Sequence, residues 1–275
     1  MPEEQKQRIV ILGASGFIGN AIYRELCSYF KTFGSFHSAS KAYKKNHQFF
    51  HYNHEQDDIY EILLALKPNV IISALRGNFV TQVLAHQHMI EYVKKHDCRI
   101  IFFSSANVFD AYSKYPSYET DKTLSESIYG RFKIKIENAL MRLPKKKWTV
   151  LRLPMVFGTQ SPRIEDIKQQ LKDREPIEVF PNLVMNVTTA DKVMQQVHYI
   201  INRKKTGIYH LGSTDLVHHD DFIKDIIKKL NDQTPVFKHV YTTNEERYLA
   251  VLPKYNMLPK NLQIKSDEVL KVSLL

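Results

Sequence analysis

Immediately after the apolar run Ile9-Val10-Ile11-Leu12 the chain reads Gly13-Ala14-Ser15-Gly16-Phe17-Ile18-Gly19, with glycines spaced G-x-x-G-x-x-G. The run before the glycines is strand-sized, and residues 17–30 carry a helical pattern, so the glycines occupy a strand-to-helix turn. At such a turn the first glycine permits a tight reversal. The second lets the backbone approach a pyrophosphate, and the third lets helix and strand pack closely. The helix that follows offers free N–H groups and its positive dipole end to the phosphates. A chain with this opening is expected to start a βαβ unit and to hold a dinucleotide with Gly13, Ser15, Gly16, Phe17, Ile18 and Gly19.

The rest of the first half repeats the alternation. Strand patterns fall at residues 8–12, 32–37, 49–52, 69–74, 99–104 and 149–154, and helical patterns at 17–30, 57–66, 80–95 and 125–143. Strands alternating with helices predict an α/β fold, a doubly wound parallel sheet of Rossmann type. After Gly158 the pattern loosens into helices at 165–172, 189–203 and 219–231 and a strand at 207–211, and prolines punctuate the last forty-odd residues. The organisation expected is a cofactor-binding domain of residues 1–158 and about 186–212. A smaller C-terminal substrate lobe takes about 159–185 and 213–275.

Composition narrows the class. Hydrophobic residues make up 43% and charged residues 25% of the 275, an ordinary globular balance. The longest apolar runs are far too short to span a bilayer, and no apolar signal segment follows a basic start, so a cytoplasmic protein without a membrane partner is expected. Cys27 and Cys98 are the only cysteines, too few and too distant for a disulfide framework or a thiolate zinc site, and both are expected to be buried. The net charge of +10 arises from small scattered groups such as Lys94-Lys95, Lys145-Lys146-Lys147 and Arg203-Lys204-Lys205. No stripe interleaves them with aromatics, which argues against nucleic acid and for a solvated basic surface. The histidines give no metal spacing: His86 and His88 point to different helix faces, and His218 and His219 adjoin Asp220 and Asp221 as the polar start of a helix.

Where such folds place an acid for the ribose hydroxyls of NAD, the end of the second strand, this chain has Phe36-His37-Ser38-Ala39-Ser40-Lys41. With no carboxylate there, Ser38 and Lys41 suit a 2′-phosphate. NADP(H) is the cofactor expected, with NAD(H) as the alternative.

Tyr129 and Lys133 lie four apart on a predicted helix and share one face. A free tyrosine ionises near about 10, and a neighbouring cation lowers that value, so the pair suits a general acid. The same lysine suits the ribose hydroxyls. The preceding strand ends in Ser104-Ser105, which places a hydroxyl where a reacting carbonyl oxygen can be hydrogen-bonded.

Taken together, the glycine loop, Ser105, Tyr129 and Lys133 resemble an extended short-chain dehydrogenase/reductase, and more narrowly the dTDP-4-dehydrorhamnose reductase family. Ser104-Ser105-Ala106-Asn107-Val108-Phe109-Asp110 is similar to that family's segment after the fifth strand, where the hydroxyl residue three before the valine is catalytic, here Ser105. Tyr118-Glu119-Thr120-Asp121 and the stretch from Tyr129 through Glu137 resemble its active-site loop and helix. Residues 151–158 resemble the strand that passes the nicotinamide, and 207–212 a late strand. Ser73-Ala74-Leu75 stands where the family has Asn-Ala-Ala, which assigns Ala74 to the cofactor, and Arg76 follows. Ala106-Asn107 replaces an Asp-Tyr pair and Met155 a tryptophan, both near the sugar in the family. The resemblance implies reduction of a nucleotide-linked 4-keto sugar by catalytic Ser105, Tyr129 and Lys133, with a homodimer allowed. The alternatives are a sugar-nucleotide epimerase or dehydratase, of which the dehydratase would want a carboxylate beside Ser105, and a non-enzymatic NADP-binding regulatory subunit.

Overall fold

The computed structural model describes residues 6–38, 43, 46–112, 114–230 and 235–272. Its first half alternates strands and helices: β1 (Arg8–Leu12), α1 (Phe17–Leu26), β2 (Lys31–Phe36), β3 (Phe49–His51), α2 (Ile59–Leu66), β4 (Val70–Ser73), α3 (Phe79–Lys95), β5 (Arg99–Ser105), a 3₁₀ turn (Ala106–Phe109), α4 (Ile128–Met141) and β6 (Trp148–Leu153). The second half contains β7 (Met155–Phe157), α5 (Pro162–Asp173), β8 (Ile177–Val179), β9 (Leu183–Met185), β10 (Val187–Thr189), α6 (Ala190–Asn202), β11 (Gly207–His210), β12 (Val217–His218), α7 (His219–Leu230), β13 (Phe237–His239), β14 (Arg247–Leu249) and α8 (Ser266–Val272).

Seven strands make the central sheet, in the order β11-β6-β5-β4-β1-β2-β3. The pairings of β1 with β2 and β4, of β2 with β3 and of β4 with β5 are parallel. The doubly wound α/β expectation therefore holds, and strand order reverses between β1 and β4. β4, β5 and β6 are buried along their whole length, as a sheet covered on both faces requires.

Local chemistry sets the helix boundaries. Asp58 and Asn78 cap α2 and α3 by accepting the N–H groups of Tyr60 and Val80 at 2.8 and 2.9 Å. Ser161 caps α5 ahead of Pro162. α4 starts at Ile128, three residues later than its pattern suggests. There the Ser127 hydroxyl accepts the Gly130 N–H at 3.0 Å, while Ser125 turns to Ser127 instead. α1 stops at Leu26, short of the expected 30, and its next residue, Cys27, is exposed. The expectation that both cysteines are buried is corrected at Cys27, whose thiol donates to the Arg24 carbonyl at the helix end; Cys98 is buried.

By its internal contacts the chain divides into two compact units. The first takes the described residues up to Ser104, Arg131–Leu151 and Met194–Ile208. Its core sets Val10, Leu12, Ile71, Ile100 and Val150 of the sheet against helix side chains that include Leu63, Met89 and Ile136. Burying each such side chain contributes about 1.5–3 kcal/mol. The second unit takes Ser105–Gly130, Arg152–Val193 and the described residues from Tyr209. Its core joins Phe157, Ile164, Val179 and Val187 to the buried stripe Phe222, Ile223, Ile226 and Ile227 of α7. Within this unit the fully buried Arg152 lies 4.7 Å over the Phe109 ring and donates to the Glu119 carbonyl and to His210 Nε2, both at 3.3 Å. The Glu119 carboxylate accepts the backbone N–H groups of Lys254, Tyr255 and Asn256, which fastens that late segment to residues 117–121.

Candidate active site

The glycine loop follows β1 at the point where strand order reverses, the place where ligands of open α/β sheets bind. Gly13 has φ +83°, and a Cβ there would lie 2.6 Å from the Ala74 carbonyl oxygen, so the first glycine is required by the turn and by β4's end. A Cβ on Gly19 would strike the Gly13 carbonyl oxygen, so the third is required by helix–strand packing. Gly16 is different. Its φ of −83° suits any residue, and an added Cβ would meet nothing closer than the Gly13 oxygen at 3.4 Å.

Neither backbone nor packing explains a glycine at 16; space for a ligand does. In addition, α1 has no acid in its first turn and, unlike α2 and α3, no side-chain cap, so its leading N–H groups are left for an anion. The loop therefore fits a dinucleotide pyrophosphate. Ser35, invisible as a site residue in the sequence, braces the loop by accepting the Gly13 N–H on Oγ at 2.8 Å. Ser38 lies exposed just beyond β2, and Lys41 lies outside the described residues. Arg76 is exposed.

Behind Ala74, Ser73 Oγ donates to His86 Nε2 at 2.9 Å, the direction fixed because His86 Nδ1 gives its proton to the Gln82 carbonyl at 2.6 Å. Burial pushes His86 down to about 3, so the ring is neutral. His88 is half-buried and pairs with Asp58 at 2.9 Å.

Lys133 is buried. Its Nζ donates to the Phe103 carbonyl at 2.8 Å and lies 4.7 Å over the Phe102 ring. Burial, opposed by Glu137 and assisted by Arg76, pushes its ammonium down to about 7. Tyr129, one turn earlier on α4, is exposed. Ser105 ends β5 with its Oγ donating to Asn107 Oδ1 at 2.9 Å and accepting the Asn107 N–H at 3.2 Å. Gly130 brings the Tyr129 turn to the segment after Ser105: a Cβ there would strike the Asn107 carbonyl oxygen and Ser125 Oγ. Sequence reasoning missed Gly130 and Asn107 as positioning residues, since only the approach of α4 to the 3₁₀ turn shows why either matters. Ser104 Oγ is buried with no hydrogen-bond partner among the described residues. Among the described residues no group of three His, Cys, Asp or Glu is gathered to hold a metal ion, and no helix is long and apolar enough to cross a membrane.

A parallel sheet that reverses at β1 and β4, a glycine loop at that reversal, and tyrosine and lysine one turn apart on the helix after the fifth strand define an extended short-chain dehydrogenase/reductase. Within that class the chain belongs to the RmlD substrate binding domain family, whose model matches residues 7–266. It is 25% identical over 227 residues to dTDP-4-dehydrorhamnose reductase of Aggregatibacter actinomycetemcomitans, covering 74% of this chain and 76% of that protein. Its fold is shared by dTDP-4-dehydrorhamnose reductase of Bacillus anthracis, solved with NADP, at a TM-score of 0.76 and 18% identity over 98% of each chain. The Bordetella bronchiseptica enzyme WbmH, solved with NAD+, superposes at a TM-score of 0.79 and 15% identity over 98% of this chain and 97% of the other.

Proposed function

We propose that this chain is an NADP(H)-dependent reductase acting on the keto group of a nucleotide-linked 4-keto sugar, with NAD(H) as the alternative cofactor. The observation that carries the reading is α4 itself. It presents an exposed Tyr129 one turn from a buried Lys133, and Gly130 holds that turn against the segment following Ser105. The family relationship to a dTDP-4-dehydrorhamnose reductase supports the substrate class, and fold neighbours with NADP and NAD+ support the cofactor.

In this reading the loop from Gly13 to Gly19 and Ala74 hold the pyrophosphate side of the cofactor, Ser38 and Lys41 are assigned to the 2′-phosphate, and Lys133 to the ribose hydroxyls. The bound cofactor supplies a hydride to the keto carbon. Tyr129 gives the hydroxyl proton to the oxygen that gains charge, and the nearby Lys133 cation favours the resulting phenolate. Ser105 orients the keto oxygen by turning its one proton away from Asn107 Oδ1, a rotation about a single bond. Ala106 stands beside Ser105, so no acid–base carboxylate is available there for a dehydratase. The residues of about 159–185 and 213–275 are assigned to the sugar nucleotide.

The deciding experiment follows NADPH consumption with a panel of 4-keto sugar nucleotides differing in base and sugar. Turnover with at least one is expected. Tight NADPH binding with no turnover across the panel would place the chain among cofactor-binding subunits.

A further inference from the structure

A cavity of about 540 Å³ lies wholly within the first compact unit, at the end of the sheet remote from the glycine loop. Its walls follow the sheet order. Thr206 precedes β11, Lys147 precedes β6, Arg99 opens β5, Asn69 precedes β4 and Gln7 precedes β1, so the trough crosses the N-terminal ends of five neighbouring strands. In parallel sheets of this kind the opposite, C-terminal ends carry the ligand, which leaves this end without an assigned role.

The charge of the lining is lopsided: Arg99, Lys146, Lys147 and Lys204 against Asp97. Arg99 and Lys147 are anchored rather than free. Arg99 donates to the carbonyls of Lys205 and Ile201 at 2.9 and 3.1 Å, and Lys147 Nζ to those of Val93 and His96 at 2.6 Å each. They neutralise the carbonyl ends of α6 and α3 and hold the trough floor positive. Two of the three ammonium protons of Lys147 are thereby used, which leaves one donor. Lys146 and Lys204 are exposed and engaged by no hydrogen bond among those described. Cys98 adds no negative charge, because burial pushes its thiol up to about 12. Asn69 receives the Arg8 N–H on Oδ1, leaving its amide NH₂ to donate. Among the described residues no aromatic side chain lines the trough, so these offer no platform for a base.

We propose that this trough is a binding site for a compact phosphate-bearing anion, held by Lys146, Lys204 and the remaining Lys147 donor. Its size suits a small ligand, and its cation excess and lack of a stacking surface favour a sugar phosphate or free pyrophosphate over a nucleotide. The site is separate from the glycine loop and does not depend on the reductase reading.

The chain reports on the trough directly, because its one tryptophan, Trp148, adjoins Lys147. Full-length protein is titrated at low salt with inorganic pyrophosphate and, separately, glucose 1-phosphate, by tryptophan fluorescence and calorimetry. Saturable binding of at least one is expected, and the tighter of the two identifies the source. Lys146→Glu with Lys204→Glu should weaken it about tenfold or more, the scale of a lost charge-assisted hydrogen bond, with unchanged melting temperature. Should that pair unfold, Lys146→Gln with Lys204→Gln serves the same comparison. Gly16→Val should leave anion binding intact. The proposal fails if neither anion saturates, if the lysine variants bind as tightly as the parent, or if Gly16→Val abolishes binding, which would place the anion in the glycine loop.

Discussion

Gly16→Val separates what the protein needs from what a ligand needs. Gly16 sits at φ −83° and ψ 167°, an extended conformation in which a β-branched residue is at home. The nearest heavy atom to an added Cβ is 3.4 Å away. Replacing glycine by valine at a helix N-cap costs up to roughly 1 kcal/mol, and stiffening the unfolded chain returns about 0.4–1 kcal/mol. The net effect is within about 1 kcal/mol, a melting shift of roughly 2–4 °C at most for a chain of this size. The ligand side is unequal. Two methyl groups would stand where the pyrophosphate oxygens meet the α1 N–H groups. Losing two charge-assisted hydrogen bonds at about 1.5–3 kcal/mol each weakens binding by roughly a hundredfold or more. NADPH titration by fluorescence quenching, with circular dichroism melting alongside, reads both quantities. Gly19→Ala provides the contrast, because its Cβ strikes the Gly13 carbonyl oxygen and the fold itself should lose stability. NADPH affinity retained within about threefold in Gly16→Val would refute the assignment of this loop. Melting as low as that of Gly19→Ala would refute the packing argument.

The other predictions concern the proton donor, the cofactor and pH. Tyr129→Phe should leave NADPH binding intact and lower turnover about a hundredfold or more, and near-full activity would remove the mechanism. Lys133→Met should reduce both turnover and cofactor affinity. Burial pushes Lys133 from 10.5 to about 7, so unfolding takes up a proton between those values. Parent stability should therefore rise with pH across that window by up to about 1.4 kcal/mol per pH unit, and the contribution should vanish in Lys133→Met by urea titration. His86, His210 and His219 are held down to about 3, 3 and 4, chiefly by burial, so the native state binds fewer protons than the unfolded chain below 6.5. Stability should fall as pH drops from 6.5 toward 4, by up to about 4 kcal/mol per pH unit for all three, and a flat urea midpoint between pH 7 and 5 would contradict their burial. NADPH should bind more tightly than NADH, since residues 36–41 carry no acid, and equal affinities by the same quenching titration would count against Ser38 and Lys41 as phosphate contacts.

Much of the architecture was legible before folding because its signals are local. Continuous apolar runs of strand length mark β1, β4 and β5, and the expected bounds of β1 match the structure residue for residue. The three glycines after β1 announce the loop, and the Tyr129–Lys133 spacing announces a shared helix face, because one helical turn is a property of the backbone alone. Helix ends were less legible, since a hydroxyl such as Ser127 or Ser125 becomes a cap only when its neighbours leave it free to do so.

Tertiary structure alone decided the rest. Nothing near Gly13 in sequence indicates that Ser35, twenty-two residues on, holds its N–H. Only the close approach of the end of β4 to Gly13, and of α1 to the Gly13 carbonyl, shows that Gly13 and Gly19 serve the fold while Gly16 does not. Only the fold shows His86 as a neutral brace for Ser73 and the Lys133 ammonium pushed down to about 7, because burial is set by everything packed around a side chain. The trough at the N-terminal ends of the strands exists only because residues as far apart as Gln7 and Thr206 precede strands of one sheet, β1 and β11, with β4, β5 and β6 between them. Sequence spacing reports on one turn or one strand, whereas desolvation, close approach and cavities depend on which distant segments the sheet order makes adjacent.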